Sequence, residues 1–459
     1  MIVMKFGGSS VKNAEAVDRV SGIIQARVAQ RPVVVVSATG DTTDELVEIL
    51  DLLEAGQPGA ADIAARIAQS HAELVAEVVT DAQEQEKARE KISAEIARLN
   101  DMISAMERLG DVSMRSRDAV LSVGERMSAP ILAGSLASRG IDAVYVDPSD
   151  VMATDDAYGA AVPDMGLTEQ QSLAVIVPLG EQGKVPVIGG YVGRSAKGAI
   201  TTLGRGGSDL TASVIAKSIA AEALEFWKDV DGILSADPRI VPEAKPLAAI
   251  TFREAQELTF LGSGVLHPAS IQPAVEAGIP VRVRNSYRPE SPGTEIRKFK
   301  PSGMIIDANG GEAGKAVASI TCKRRQVLVN LYSTRMIGAS GFLRRVFEVF
   351  DRLKISVDHI ATSEVNITVT LKDTDKLAQL QAELTETAKV DVVRDVGVVS
   401  VVGELLSATS GVAAHIFSAL KDFNILFITH GGASTNVSMV VRDRDVEAAI
   451  RSLHQQLFH

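Results

Sequence analysis

The segment Thr201–Ala212 reads T-T-L-G-R-G-G-S-D-L-T-A: three glycines broken by an arginine and closed by Ser208-Asp209. An apolar, Ala-rich stretch with a helical pattern follows it. Glycine-dense backbone turns sharply and lets its N–H groups approach an anion. The start of a helix adds unpaired donors and partial positive charge. Together they form a phosphate cradle, with Arg205 and Asp209 as charged groups at its rim.

A second cradle opens the chain. Strand-like Met1–Phe6 carries one lysine, Lys5, and runs directly into Gly7-Gly8-Ser9-Ser10. An amphipathic pattern from about Val11 to Ala29 then places Val17, Val20, Ile23 and Ile24 on one face. Strand, glycine pair, hydroxyl N-cap and helix again suit an anion, and Lys5 would point an ammonium into the turn. Neither G-x-x-x-x-G-K-[ST] nor G-x-G-x-x-G occurs, so this is not a P-loop or a Rossmann fingerprint. The competing reading is two tight βα turns that bind nothing. Asp229, Asp231 and Asp237 imitate Ca²⁺-loop spacing but lack a closing Glu. Asp231-Gly232 reads instead as a turn, and His267 before Pro268 as a helix start. The other histidines show no metal-ligand spacing along the chain.

These loops need a frame, and 459 residues suffice for two or three domains with real cores. With 46% hydrophobic and 23% charged residues, the chain has ordinary globular composition. A net charge of −11 and few aromatics argue against a nucleic-acid binder. Apolar runs such as Val33–Val36 and Val398–Val402 are strand-length, which gives no membrane span. The lone Cys322 excludes a disulfide framework, and no signal-like segment precedes Lys5, so a cytoplasmic protein is expected.

Short apolar segments at Ile2–Phe6, Pro32–Ser37, Ala143–Val146, Val185–Gly189, Ala223–Trp227 and Pro280–Arg284 alternate with helical patterns. That grammar predicts an α/β three-layer sandwich with a mainly parallel open sheet. Residues 57–109 carry charges at i, i+4 spacing without a strand signal and read as a helical insertion on the domain surface, with a coiled-coil partner helix as the alternative. Pro289, Pro292, Pro301 and Asn309-Gly310-Gly311 mark a boundary, giving a domain over 1–298 and a linker over 299–314. Beyond it the pattern βαββαβ occurs twice, at 323–394 and at 395–459, with 315–322 supplying the strand the second copy lacks. The tail is therefore two interleaved ferredoxin-like domains.

The motifs resemble aspartate kinase from end to end. K-F-G-G-S-S-V at Lys5–Val11 and L-G-R-G-G-S-D at Leu203–Asp209 match its two opening motifs. W-K-D-V-D-G-I-L-S-A-D-P-R at Trp227–Arg239 resembles its nucleotide segment, and V-L-H-P and V-R-V-R-N-S-Y also match. S-T-R-M, I-S-V-D and A-T-S-E-V in the tail resemble the first of its two ACT domains. The likeness is to single-function, lysine-sensitive members. It implies transfer of the ATP γ-phosphoryl group to the β-carboxylate of L-aspartate, with Mg²⁺ held through the nucleotide's phosphates.

On that resemblance Lys5, Arg205 and Asp209 are the catalytic group, with Asp209 orienting Lys5 or substrate. Arg205 would clasp the α-carboxylate in a bidentate fork and Glu125 the ammonium group, while Ser37, Thr43, Tyr191 and Ser208 complete the aspartate pocket. Nucleotide contacts fall to Lys5, Gly7, Gly8, Ser9, Gly206, Gly207, Lys228, Asp229, Leu234, Arg239 and Gly264. Gly264 replaces a lysine of some members, and Lys228 and Leu234 differ from certain bacterial ones, which bears on nucleotide affinity. The effector site would comprise Met336, Ser340, Gly341, Val357, Asp358, Ser363 and Glu364. Its free acids favour a cationic amino acid, lysine, over threonine. A homodimer or tetramer joined through the ACT domains is expected. The alternatives are a glutamate-type amino-acid kinase and a non-catalytic amino-acid sensor.

Overall fold

The computed structural model describes residues 1–262, 266–298, 316–431 and 435–459, which divide into two compact units. Position 264 and the predicted linker lie outside the described residues. The first unit comprises Met1–Ile233 and Val265–Phe299; the second comprises Leu234–Gly264 and Lys300–His459.

In the first unit, Ile2–Phe6 pairs in parallel with Pro32–Val36 on one side and Ala223–Lys228 on the other. Every residue of the first two strands is buried, as expected for parallel strands covered on both faces. Across the sheet the strands run Ala143–Val146, Val185–Gly189, Pro32–Val36, Ile2–Phe6, Ala223–Lys228 and Val281–Asn285, and antiparallel Thr294–Arg297 follows. The loops after Phe6, Val36 and Gly189 thus leave the sheet at neighbouring carboxyl ends, where open α/β sheets bind ligands.

Two expectations change here. The first helix is Ala14–Gln25, and Asn13, not a hydroxyl of the Gly-Gly-Ser-Ser turn, caps it by accepting from the Ala16 N–H. Ser9 and Ser10 lie instead in a short 3₁₀ turn, Gly8–Val11. The 57–109 insertion is a pair of helices, Ala60–Val78 and Ala82–Leu109. It does not merely lie on the surface: Ile63, Ile67, Ile92, Leu99 and Ile103 join the same buried cluster as Met4, Val34 and Leu46.

The second unit is a single antiparallel sheet in the order His359–Thr362, Asn366–Lys372, Ser319–Tyr332, Lys389–Val402, Asn436–Arg442, Phe427–Thr429. The two central strands, 14 residues each, run through both ferredoxin-like halves. Ser319–Cys322, ahead of the first copy, pairs with Val399–Val402 in the second half of the sheet. Helices Phe342–Leu353 and Leu377–Thr385 cover one half, Val412–Ala419 and Val446–Phe458 the other. Residues 234–262 precede the expected boundary yet pack with this unit. Ala236, Ile240 and Val241 enter its core beside Ile320 and Val401, and the Ile320 N–H donates to the Ser235 carbonyl.

Candidate active site

Lys5 is the penultimate residue of its strand, and its ammonium lies 2.6 Å from Asp209 Oδ1. Lys228, at the end of the adjacent strand, approaches Asp209 Oδ2 at 3.3 Å. Asp209 sits in the first turn of helix Gly207–Ser218, where a negative charge meets the positive end of the helix dipole. Burial opposes its ionisation, but the two ammonium groups outweigh burial and hold its carboxyl below the usual range. With both oxygens committed, Asp209 positions two cations; it is a poor proton acceptor. Burial, with Lys5 nearby, also pulls the pKa of Lys228 down despite the Asp209 partner.

The glycines of both loops answer geometric demands. Gly206, with φ of 75°, turns the chain into the helix N-terminus. At Gly8 a Cβ would stand 2.8 Å from the Ala38 carbonyl oxygen, so only glycine lets the first loop lie against the second strand's loop.

A cavity of about 480 Å³ opens between these elements, lined by Lys5, Ser37, Thr43, Glu125, Tyr191 and the Gly204–Asp209 loop. Glu125, in helix Val123–Ala137, is only 3% exposed, and its Oε2 has no hydrogen-bond partner among the described residues. Burial pushes its carboxyl up to about 7, against the Ala38 and Glu125 amides, Lys5 and the Ser208 hydroxyl, which favour the charged form. A buried carboxylate with an open oxygen suits a ligand cation. Arg205 is exposed at the rim and forms no ion pair among the described residues. Tyr191 has φ of 67°, held by its N–H to Thr211 Oγ1 at 3.0 Å and its carbonyl accepting from Leu203 N.

The structure also shows what the sequence reading missed. Asp118, fully buried, accepts from the Gly159 N–H and from both the N–H and the hydroxyl of Thr202. It ties the Gly159 rim of the cavity to the strand leading into the glycine loop. Its partners lie 41 and 84 residues away, so no local pattern could reveal it.

Other expected nucleotide contacts are placed less directly. Ser9 lines a neighbouring cavity with Lys12 and Thr39. Asp231 accepts from Asn285 at 2.7 Å and pairs with Arg288, as a structural turn would require. Leu234 and Arg239 belong to the second unit, where Arg239 forks onto Asp237 and the Leu234 carbonyl accepts from Ser319 Oγ.

In the second unit, Gly341, with φ of 76°, precedes helix Phe342–Leu353, with Ser340, Ser363 and Glu364 exposed and Met336 and Val357 half-buried. One expectation is corrected: Asp358 is not a free acid. Lys323 Nζ lies 2.9 Å from its Oδ2 and 4.0 Å from the centre of the Phe260 ring.

A glycine loop at a helix N-terminus, paired lysines on a buried aspartate and a buried carboxylate lining the same cavity suit phosphoryl transfer to a small amino-acid-like acceptor. Accordingly, residues 1–285 match the amino acid kinase family, and residues 329–382 and 399–457 match an ACT domain. Aspartokinase 2, chloroplastic, of Arabidopsis thaliana is 35% identical over 479 residues, spanning 99% of this chain and 84% of that protein. Escherichia coli aspartokinase III, solved in complex with lysine and aspartate (T-state), superposes with a TM-score of 0.83 at 32% identity and full coverage of both chains. Its complex with aspartate and ADP (R-state) gives 0.80 at the same identity and coverage. The chain belongs to the amino acid kinase family and, within it, to the aspartokinases. No helix among the described residues is long and apolar enough to cross a membrane.

Proposed function

We infer that the chain transfers the γ-phosphoryl group of ATP to the β-carboxylate of L-aspartate, yielding 4-phospho-L-aspartate and ADP, under feedback control by lysine. The observation that carries this reading is the cavity lined by Glu125, Lys5 and Asp209, with Lys228 on the second oxygen of Asp209. A β-carboxylate oxygen attacks the γ-phosphorus while the bond to the β,γ-bridging oxygen breaks. The acceptor is already ionised at neutral pH, so no base is needed. Phosphoryl transfer then depends on alignment and charge neutralisation. Lys5 meets charge developing on the transferring oxygens, and Lys228 supports the phosphates, both aligned by Asp209. Arg205 holds the α-carboxylate, and Glu125 the α-ammonium with the hydroxyls of Ser37, Thr43 and Ser208 beside it.

Mg²⁺ fits this site only through the nucleotide, because Asp209 is occupied by lysines and Glu125 faces the acceptor. When bound, the ion neutralises phosphate charge. We place the reaction in the cytoplasm and take a homodimer joined through the ACT domains as the working assembly.

For the effector, the Lys323–Asp358 pair implies competition: a cationic amino acid reaching Asp358 has to displace the chain's own ammonium. Lysine inhibition of aspartate-dependent ADP release, read in a coupled assay, tests this. Asp358→Asn should raise the half-inhibitory lysine concentration about tenfold or more, by loss of a charge-assisted contact, whereas Lys323→Met should lower it. Unchanged inhibition in both variants would remove Asp358 from the effector site. If glutamate were turned over and aspartate were not, the acceptor assignment would be wrong.

A further inference from the structure

Beyond the kinase and effector sites, the second unit brings Glu243 to two histidines, His454 and His459, some two hundred residues further along the chain. One donor atom each from Glu243, His454 and His459 lies within 4.8 Å of the others. His454 is 1% exposed; its Nε2 meets Ser235 Oγ at 2.9 Å, while its buried Nδ1 has no hydrogen-bond partner among the described residues. A buried ring nitrogen left unpaired is costly unless something binds it.

The supports on either side are fixed independently of any ligand. Helix Val446–Phe458 is docked on the segment carrying Glu243 by Arg451 Nε donating to the Ile240 carbonyl at 3.0 Å. That segment is held by Ala244 N to Val241 O and by Lys245 N to Ser235 Oγ. Ser235 therefore sits behind the His454 ring, in the place a hydrogen-bonding partner takes behind a metal-bound imidazole. Phe458 stacks on the same ring at 4.7 Å and limits its rotation.

We propose that Glu243, His454 and His459 form a binding site for a divalent transition-metal ion, which clips the helix Val446–Phe458 to the 234–245 segment. Two imidazoles and a carboxylate suit a zinc-class ion better than Mg²⁺ or Ca²⁺, which prefer all-oxygen shells. Three protein ligands leave a coordination position for water. Lys245 is a nearby cation that opposes the ion.

The test uses the full chain, stripped with a chelator and free of nucleotide, titrated calorimetrically with Zn²⁺ and followed spectroscopically with Co²⁺. One equivalent should bind, with millimolar Mg²⁺ failing to compete. Because His454 is buried and its replacement could disturb folding, the informative variants are His459→Ala and Glu243→Gln, at exposed positions. Each should weaken Zn²⁺ binding at least about tenfold, with the circular dichroism of the metal-free protein unchanged. Absence of stoichiometric binding, or binding retained by the double variant, would overturn the assignment.

Discussion

Replacing Lys5 by alanine should lower kcat by about 10²–10³-fold, the usual cost of removing one preorganised donor from a developing oxyanion. Its ammonium is nearly buried and sits 2.6 Å from Asp209, so no solvent cation can take its place in the same geometry. Asp209 keeps Lys228 as a partner, which spares the variant an isolated buried charge and should let it fold. KM for aspartate should change little, because Glu125 and Arg205 remain. Steady-state kinetics on protein with native circular dichroism decides the matter. A loss below tenfold would mean that Lys5 only braces Asp209.

The second large effect concerns Glu125. In Glu125→Gln the anion facing the substrate ammonium is gone, and kcat/KM for aspartate should fall at least about 10²-fold, the scale of a lost charge-assisted contact in a desolvated site. The same change should stabilise the free protein. Folding raises the Glu125 pKa from 4.5 to about 7, so the native state binds more protons than the unfolded chain between those values. Stability contributed by this group therefore falls as pH rises from about 4.5 to 7, and above 7 the full penalty is present. A shift of this size corresponds to roughly 3 kcal/mol, so at pH 8 the variant should unfold at higher urea than the parent, and at pH 4 should not.

Binding shows the opposite dependence. Below pH 7 the parent holds a protonated Glu125, and its affinity for aspartate should drop with each further unit, while the variant stays weak and flat. Equal aspartate affinity at pH 6 and pH 8 in the parent would contradict this account of the site. A site that carries function at a cost in stability is a common arrangement.

Where the sequence was legible, local chemistry sufficed. Ala143–Val146 and Val185–Gly189 are found as read, because short apolar runs between turn signals have few alternatives. Glu125, Arg205 and Asp209, read from separate motifs, line one cavity.

What escaped notice depends on residues distant in sequence. In the two long central strands K-R-R-Q and R-D break the apolar pattern along the sequence. Arg325 and Asp395, each with φ of 54°, mark irregular points within continuous strands. Asp118, the Lys323–Asp358 pair and the Glu243–His454–His459 group each join segments whose proximity only the fold creates. The cap at Asn13 was missed because Ser9 and Ser10 offered equally good cap chemistry four and three residues too early.

The central claim, an acyl phosphate made on aspartate, is tested most directly by hydroxylamine trapping with ATP, Mg²⁺ and L-aspartate, with Glu125→Gln run alongside. The account predicts aspartyl hydroxamate from the parent protein, suppressed by lysine, and little or none from the variant. Folded protein that forms no hydroxamate, or forms as much with Gln at position 125, would contradict it.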